Sequence, residues 1–303
     1  MTEFYEMLLQ VSGEAHVKVK EAMGKHTTFQ VGGPADFFVT PEEEKELADI
    51  TALCRREAVP FFILGNGSNL LVGDRGVEGV VISMEKFTRC QADKEKKRII
   101  AGAGVSLGRV ASAACEASLA GFEFASGIPG TVGGAVVMNA GAYGSAMKEV
   151  LESAKVLTPE GEIKELTAEE LELGYRTSCI ISRQYVVVEA VFHLKEGDPT
   201  AIKERIDELT HRRTEKQPLE YPSAGSTFKR PEGHYAGVLI DEAGLRGFRL
   251  GGAQVSEKHC GFVINKNQAT AADVVALCEE VKKRVYQNSG VKLEMEVKTL
   301  GRF

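Results

Sequence analysis

Two glycine-rich segments equip this chain to hold a phosphorylated ligand. Gly65, Asn66, Gly67, Ser68 and Asn69 form the first; Ser126, Gly127, Ile128, Pro129, Gly130, Thr131, Val132, Gly133 and Gly134 form the second. Successive N–H groups in a glycine turn make a concave nest for an anion. Ser68 and the two asparagines add neutral donors, and Thr131 can donate to a phosphate. The missing Cβ atoms let backbone approach a ligand where a side chain would collide. Either segment alone also reads as a tight turn. Two of them in adjacent lobes call for one extended ligand gripped at its middle, and a dinucleotide fits. On this reading a branched side chain at Gly67 displaces the ligand and leaves the fold largely intact. The run from Gly102 to Gly108 has one residue too many before its last glycine for a Rossmann fingerprint, and no Gly-Lys-Ser/Thr of a P-loop is present.

A second set of residues carries reactive groups. Arg176 offers a planar fork that suits a carboxylate, or else a surface ion pair. Ser226, in Ala224-Gly225-Ser226-Thr227-Phe228, offers a hydroxyl that either caps a turn or faces a reacting atom. Glu294 and Glu296 alternate along an extended run, so they share a face of a strand. Tyr143 is an aromatic plug or a ligand contact, Lys229 lies three residues after Ser226, and His259 is structural or polar-facing. The six histidines and six cysteines show no metal-ligand spacing, so no metal site is expected and the thiols are expected to be free.

These groups need a scaffold, and 303 residues suffice for two or three compact units. The net charge of −6 argues against a nucleic-acid surface. No apolar run approaches the roughly 20 residues of a membrane span, and the acidic start, Met-Thr-Glu-Phe-Tyr-Glu, lacks the basic residues of a secretion signal. A cytoplasmic protein is expected. Residues 201–260 are near charge balance within the acidic chain, which favours receipt of an anion. The 32 glycines, against nine prolines and no tryptophan, suggest backbone brought close to something bulky.

Periodicity supplies the elements. Thr40-Pro41-Glu42 reads as a helix start, with Leu47, Ile50, Leu53 and Cys54 as its apolar stripe. Phe61–Leu64, Val77–Ile82, Arg98–Ala101 and Tyr185–Leu194 read as strands, and Leu107–Ala120 as a helix. The polar run 195–199 is the expected domain boundary, before a helix over 200–213 with Ile202, Ile206 and Leu209 on one face. Thr270 and Asp273 form a capping box ahead of the stripe Val274, Leu277, Cys278, Val281 and Val285. An alternating strand over about 293–300 carries Glu296. The fold class is α+β, with one domain over 20–196 (lobes about 20–85 and 86–196) and another over 200–303.

The two glycine loops, in this order, resemble the FAD-binding lobes of the vanillyl-alcohol oxidase and p-cresol methylhydroxylase type. His26-Thr27-Thr28-Phe29-Gln30-Val31-Gly32-Gly33-Pro34-Ala35, Met138–Gly144, Tyr175-Arg176-Thr177-Ser178, Ser223–Lys229 and Leu293–Val297 are similar to motifs of one family within it, the UDP-N-acetylenolpyruvoylglucosamine reductases. The likeness runs from about residue 20 to 300. Arg176 and Ser226 are only 50 residues apart, too close for the tyrosine-bearing loop of one subtype, so the chain is similar to the subtype that lacks it.

The resemblance implies a flavin-dependent oxidoreductase of peptidoglycan precursor synthesis. It would use non-covalent FAD, with NADPH as hydride donor, and a UDP-sugar substrate. Ser226 is implied as proton donor, Arg176 as the fork on the enolpyruvyl carboxylate and Glu296 as the polarising partner. Residues 65–69, 126–131, Gly133 and Gly134 would hold the cofactor. Tyr143, Arg213, Gln217, Lys229 and His259 would meet the substrate, with Arg230 and Arg246 as further candidates for its diphosphate. A monomer is expected. The rivals are a flavoenzyme of the same FAD-binding type acting on a small alcohol, with His26 or Cys90 as flavin attachment point, and a non-catalytic nucleotide-sugar binding module.

Overall fold

Apolar stripes at helical spacing find their sheets where the periodicity places them. In the computed structural model, which describes residues 2–303, the helix Glu44–Arg56 buries Leu47, Ile50, Leu53 and Cys54. Its start lies four residues beyond Thr40. The reason is a competing use of that segment: the Thr40 N–H is spent on His16 O (3.1 Å), and the Glu42 N–H is satisfied by Glu46 Oε2 (2.8 Å). Phe61–Leu64 pairs in parallel with Val77–Ser83 at the end of a four-stranded sheet ordered Val17–Ala22, Pro34–Val39, Val77–Ser83, Phe61–Leu64.

The chain divides into two compact units. One contains the residues through Lys18, Phe37–Asn66 and Gly79–Arg212; the other contains Val19–Asp36, Gly67–Glu78 and Arg213–Phe303. The division falls inside the helix Pro199–Lys216, not at the polar run 195–199. That run is occupied otherwise. The expected helix over 107–120 ends at Glu116, Ser118 turns with φ 59°, and Leu119–Ala120 forms a two-stranded ladder with Lys195–Glu196. The charged residues thus lie along an edge pair rather than a linker.

The first unit is built on a five-stranded antiparallel sheet ordered Ile163–Thr167, Leu151–Leu157, Val186–His193, Arg98–Gly102, Cys90–Asp93. Its core is continuous with the stripe of Glu44–Arg56 and with the helix Leu107–Glu116. Phe122 sits edge-on to Phe192 at 4.9 Å, both fully buried. Each such side chain contributes about 1.5–3 kcal/mol by leaving water. The helix Pro199–Lys216 lays Ile202 and Leu209 inward as expected, with Ile206 half-buried beside the core.

The second unit stacks the helix Ala271–Ser289 on a three-stranded antiparallel sheet ordered Arg249–Leu250, Ala253–Val255, Val263–Asn265. The Thr270–Asp273 capping box forms, and Val274, Leu277, Cys278, Val281 and Val285 are fully buried. Asp74 adds both carboxylate oxygens to the helix start, accepting from Ala271 N (2.8 Å) and Ala272 N (2.9 Å), as the positive end of the dipole favours. The run 293–300 departs from a single strand. Only Lys298–Leu300 is regular, paired in parallel with Leu70–Val72, while Met295 makes an isolated antiparallel bridge to Phe228.

Gly67 belongs to this second unit and has φ 59°. A Cβ there would run into His26 O and the Thr27 backbone, well inside van der Waals contact. The glycine is therefore demanded by the protein's own backbone, so a branched residue would not leave the fold intact. We predict that Gly67→Val destabilises the ligand-free protein by about 2 kcal/mol or more, from backbone strain plus overpacking. Thermal unfolding of the flavin-free variant against flavin-free wild type checks this; equal midpoints would refute it.

Candidate active site

In the first unit Gly65 and Asn66 meet the second glycine loop. The Asn66 side-chain amide donates to Pro129 O (2.6 Å), and Gly65 lies so close to the Thr131 hydroxyl that a Cβ would collide with it. Thr131 stands at the N-cap of the helix Val132–Val137 but does not cap it. Its Oγ1 and the Ser126 Oγ are buried and make no hydrogen bond among the described residues. A buried hydroxyl left unsatisfied costs about 1–3 kcal/mol, so both can take a polar partner from outside the chain. Gly133 packs on Ala103 and donates to its carbonyl (2.9 Å), a structural duty, whereas Gly134 is exposed and a Cβ there would meet the Thr131 hydroxyl at an ordinary 3.8 Å. Ile128 packs against the core, and Gly130 O accepts from Leu107 N (3.2 Å). The loop is thus anchored on one side and open on the other. In the first glycine loop, the N–H groups of Asn66, Gly67 and Ser68 donate no hydrogen bond among the described residues, which suits an anion nest.

Arg176 is half-buried and sits at the tip of a tight turn with φ 55°. Gly174 N donates to Thr177 O across it (3.1 Å). Asn139, 4% exposed, steadies the turn by donating to Gly174 O (2.8 Å), and Ser178 Oγ donates to Val137 O (2.8 Å). The segment after the second glycine loop therefore holds the arginine turn, a service that its sequence alone did not reveal. Tyr143 occupies a hairpin turn with φ 56°, donates its hydroxyl to Leu209 O (3.1 Å) and lies 5.2 Å from the Arg212 guanidinium. Its hydroxyl proton is committed to the protein, although its oxygen can still accept.

In the second unit Ser226 is exposed, and its hydroxyl makes no hydrogen bond among the described residues. It is not a turn cap. Its neighbour Thr227, 1% exposed, clamps the backbone: N–H to Gly261 O (2.8 Å), Oγ1 from Val263 N (2.9 Å) and O from Glu296 N (2.9 Å). Ser226 and the half-buried Glu296 are thereby brought together through one residue. Lys229 N donates to Glu294 O, and the Lys229 ammonium meets the Glu294 carboxylate at 2.9 Å, holding that carboxyl below the usual range. Glu294 is thus the ion partner of Lys229.

His259 is flanked by Gly237 and Gly261 and stacks edge-on to Phe262 at 5.0 Å. Its Nδ1 accepts from Gly261 N (3.1 Å), and burial pushes the imidazolium pKa down, so the ring is neutral with the proton on Nε2. Arg213 lies in the last turn of its helix, where its carbonyl accepts from Gln217 N (2.8 Å). Gln217 Oε1 is buried without a partner among the described residues. The Arg246 fork is spent on Asp241 and on Glu257 O, which removes it as a free diphosphate ligand. Arg230 instead stacks 4.0 Å from the exposed Tyr235 ring.

Residues 35–167 match the model of the FAD binding domain, and residues 217–300 that of the UDP-N-acetylenolpyruvoylglucosamine reductase C-terminal domain. The chain is 52% identical over 300 residues to the UDP-N-acetylenolpyruvoylglucosamine reductase of Clostridium perfringens, covering 99% of this chain and 98% of that one. It is 49% identical over 299 residues to the reductase of the same name from Clostridium kluyveri, with 99% and 98% covered. The crystal structure of the Thermus caldophilus enzyme superposes with a TM-score of 0.80 at 37% identity, over 94% of this chain and 99% of that one. A grass pollen allergen with glucose dehydrogenase activity, 17% identical, shares the fold over 65% of this chain and 44% of its own, with a TM-score of 0.52. With half of its residues identical across nearly its whole length, the chain belongs to the UDP-N-acetylenolpyruvoylglucosamine reductase family.

Proposed function

We infer that the protein reduces UDP-N-acetylenolpyruvoylglucosamine to UDP-N-acetylmuramate, the reaction of peptidoglycan precursor synthesis, with NADPH as reductant. The observation that carries the residue assignment is Ser226: an exposed, unbonded hydroxyl on backbone that its neighbour Thr227 holds from three sides. A serine with no structural partner, so firmly placed, is fitted to reach a ligand.

The chain's residues also fit FAD. Two buried hydroxyls, Ser126 and Thr131, lack protein partners, and Gly134, 3.8 Å from the Thr131 hydroxyl at its missing Cβ, is exposed. Both observations suit a diphosphate bound through 65–69, 126–131 and Gly134. Bound FAD supplies the hydride chemistry. The remaining work falls to side chains. The enolpyruvyl double bond takes up a hydride at its terminal carbon and a proton at the adjacent carbon. Arg176 holds the carboxylate into which negative charge spreads, and its fork matches that anion as charge develops. Ser226 delivers the proton, with Glu296 polarising the same group. Neutral His259 offers Nε2–H, Gln217 an unsatisfied carbonyl, and Tyr143, Arg213 and Lys229 further contacts to the UDP-sugar. On this reading the enzyme works in the cytoplasm.

Three outcomes test these assignments. Thr131→Val should weaken FAD binding while leaving the flavin-free protein as stable as wild type or more so, because an unsatisfied buried hydroxyl is removed. Equilibrium dialysis and flavin-free melting measure the two effects, and unchanged FAD affinity would count against the loop. Ser226→Ala should retain flavin and its reduction by NADPH but slow reoxidation by substrate by roughly 10²–10⁴-fold. Stopped-flow traces slowed equally in both half-reactions would make Ser226 structural. Arg176→Lys, which keeps charge and loses the fork, should lower kcat by about 10-fold or more with intact flavin; wild-type kcat would remove Arg176 from the carboxylate.

A further inference from the structure

Within the second unit, hydrogen bonds close a circuit around the two groups assigned to proton delivery. Thr28 N donates to Gly67 O (3.3 Å), which ties it to the first glycine loop. Thr28 Oγ1 donates to Ser223 O (2.6 Å), and Ser223 N donates back to Thr28 O (3.1 Å). Three residues further along the chain is Ser226, followed by Thr227, whose carbonyl accepts from Glu296 N (2.9 Å). Glu296 O then accepts from the Asn69 side-chain amide (3.4 Å), while Lys298 N donates to Asn69 O (3.0 Å). Asn69 lies two residues from Gly67, so the circuit is complete.

Thr28 spends its N–H, its carbonyl and its side chain on links of this circuit, and its hydroxyl joins segments 195 positions apart. We propose that Thr28 is a positioning residue for the reduction: it clasps the Ser223–Ser226 segment to the cofactor loop and so fixes where the Ser226 hydroxyl stands. The proposal rests on the reading of Ser226 as proton donor. Its physical basis is the reciprocal pair between Thr28 and Ser223, closed by a short hydroxyl–carbonyl bond. The segment it holds has few other anchors before Thr227: Asn265 N to Pro222 O (2.8 Å) and the bridge between Ser223 and Ile264. Gly225, with φ 74° and open space around it, gives that stretch no rigidity of its own. Without the hydroxyl, Ser223 keeps one bond to Thr28 where it had two. A displacement of the order of an ångström at a reacting group can cost about 100-fold in rate.

Thr28→Val, which keeps the shape and deletes the donor, and Thr28→Ser, which keeps the donor, form the test, with Ser226→Ala measured alongside. The Gly67 link is made by backbone and survives in all three. We expect Thr28→Val to retain FAD and wild-type flavin reduction by NADPH, and to slow flavin reoxidation by substrate roughly 10- to 100-fold with little change in KM. Thr28→Ser should restore the rate to within about threefold. Hydrogen exchange on the flavin-free protein gives a readout apart from turnover: residues 223–226 should exchange faster in Thr28→Val and not in Thr28→Ser. Wild-type reoxidation in Thr28→Val, or an equal loss in both half-reactions, would overturn the proposal. If Val does not fold, Thr28→Ala is measured instead, and wild-type reoxidation in that variant overturns it as well. The two readings fail separately: an unaffected Ser226→Ala removes the proton-donor assignment, whereas a slow Ser226→Ala beside a fast Thr28→Val removes the clasp alone.

Discussion

The structure depends on segments that pass one another more closely than a Cβ permits. Gly67 meets the His26 carbonyl and Gly104 meets the Met84 carbonyl at separations that leave no room for a Cβ, and a Cβ at Gly65 would displace the Thr131 hydroxyl. The high glycine content suggests backbone close to a bulky ligand, but at many positions the neighbour is the protein's own backbone. This matters for reading such loops. At Gly67 the absent side chain serves the fold; at exposed Gly134, where a Cβ would meet the Thr131 hydroxyl at an ordinary 3.8 Å, the fold makes no such demand. The two kinds of glycine look alike in a sequence.

From those close passages the division of labour follows. In the first unit the loops 65–66 and 126–131 are pinned by the Asn66–Pro129 bond, and their buried hydroxyls are left over for something that is not protein. In the second unit the backbone around Thr227 ties the serine loop, the segment carrying Glu296 and the histidine turn to one point. Positions there are fixed by main-chain groups, which have few alternatives once buried. The candidate side chains Ser226 and Glu296 are then presented from backbone fixed at Thr227 rather than from their own packing, which explains how an exposed serine can still be held in place.

Charge follows the same economy. Arg246 is paired bidentately with Asp241, and Lys229 with Glu294, so cations that sequence reading counts as available for an anionic substrate already have partners. An exposed pair of this kind is worth little, typically below about 1 kcal/mol. Lys229 can therefore exchange its partner for a phosphate at small cost. Arg246, held also by the Glu257 carbonyl, would give up three bonds to do so.

The sequence by itself determined the strongly periodic helices, the capping box at Thr270, the strands Phe61–Leu64 and Arg98–Ala101, and the family through its motifs. These are local signals: an amphipathic stripe, a cap or a glycine turn is written in consecutive residues. Tertiary structure decided what depends on distant partners. The helix expected from Thr40 begins at Glu44 because His16 takes the Thr40 amide, and the polar run 195–199 became an edge ladder because Leu119–Ala120 lay beside it. The face of 293–297 was set by its bridge to Phe228, and the hold on Ser226 by Thr227 and by Thr28, 195 positions from the carbonyl it binds. Hydrogen bonds between segments so far apart leave no periodic trace, and only the folded chain brings their donors and acceptors within reach.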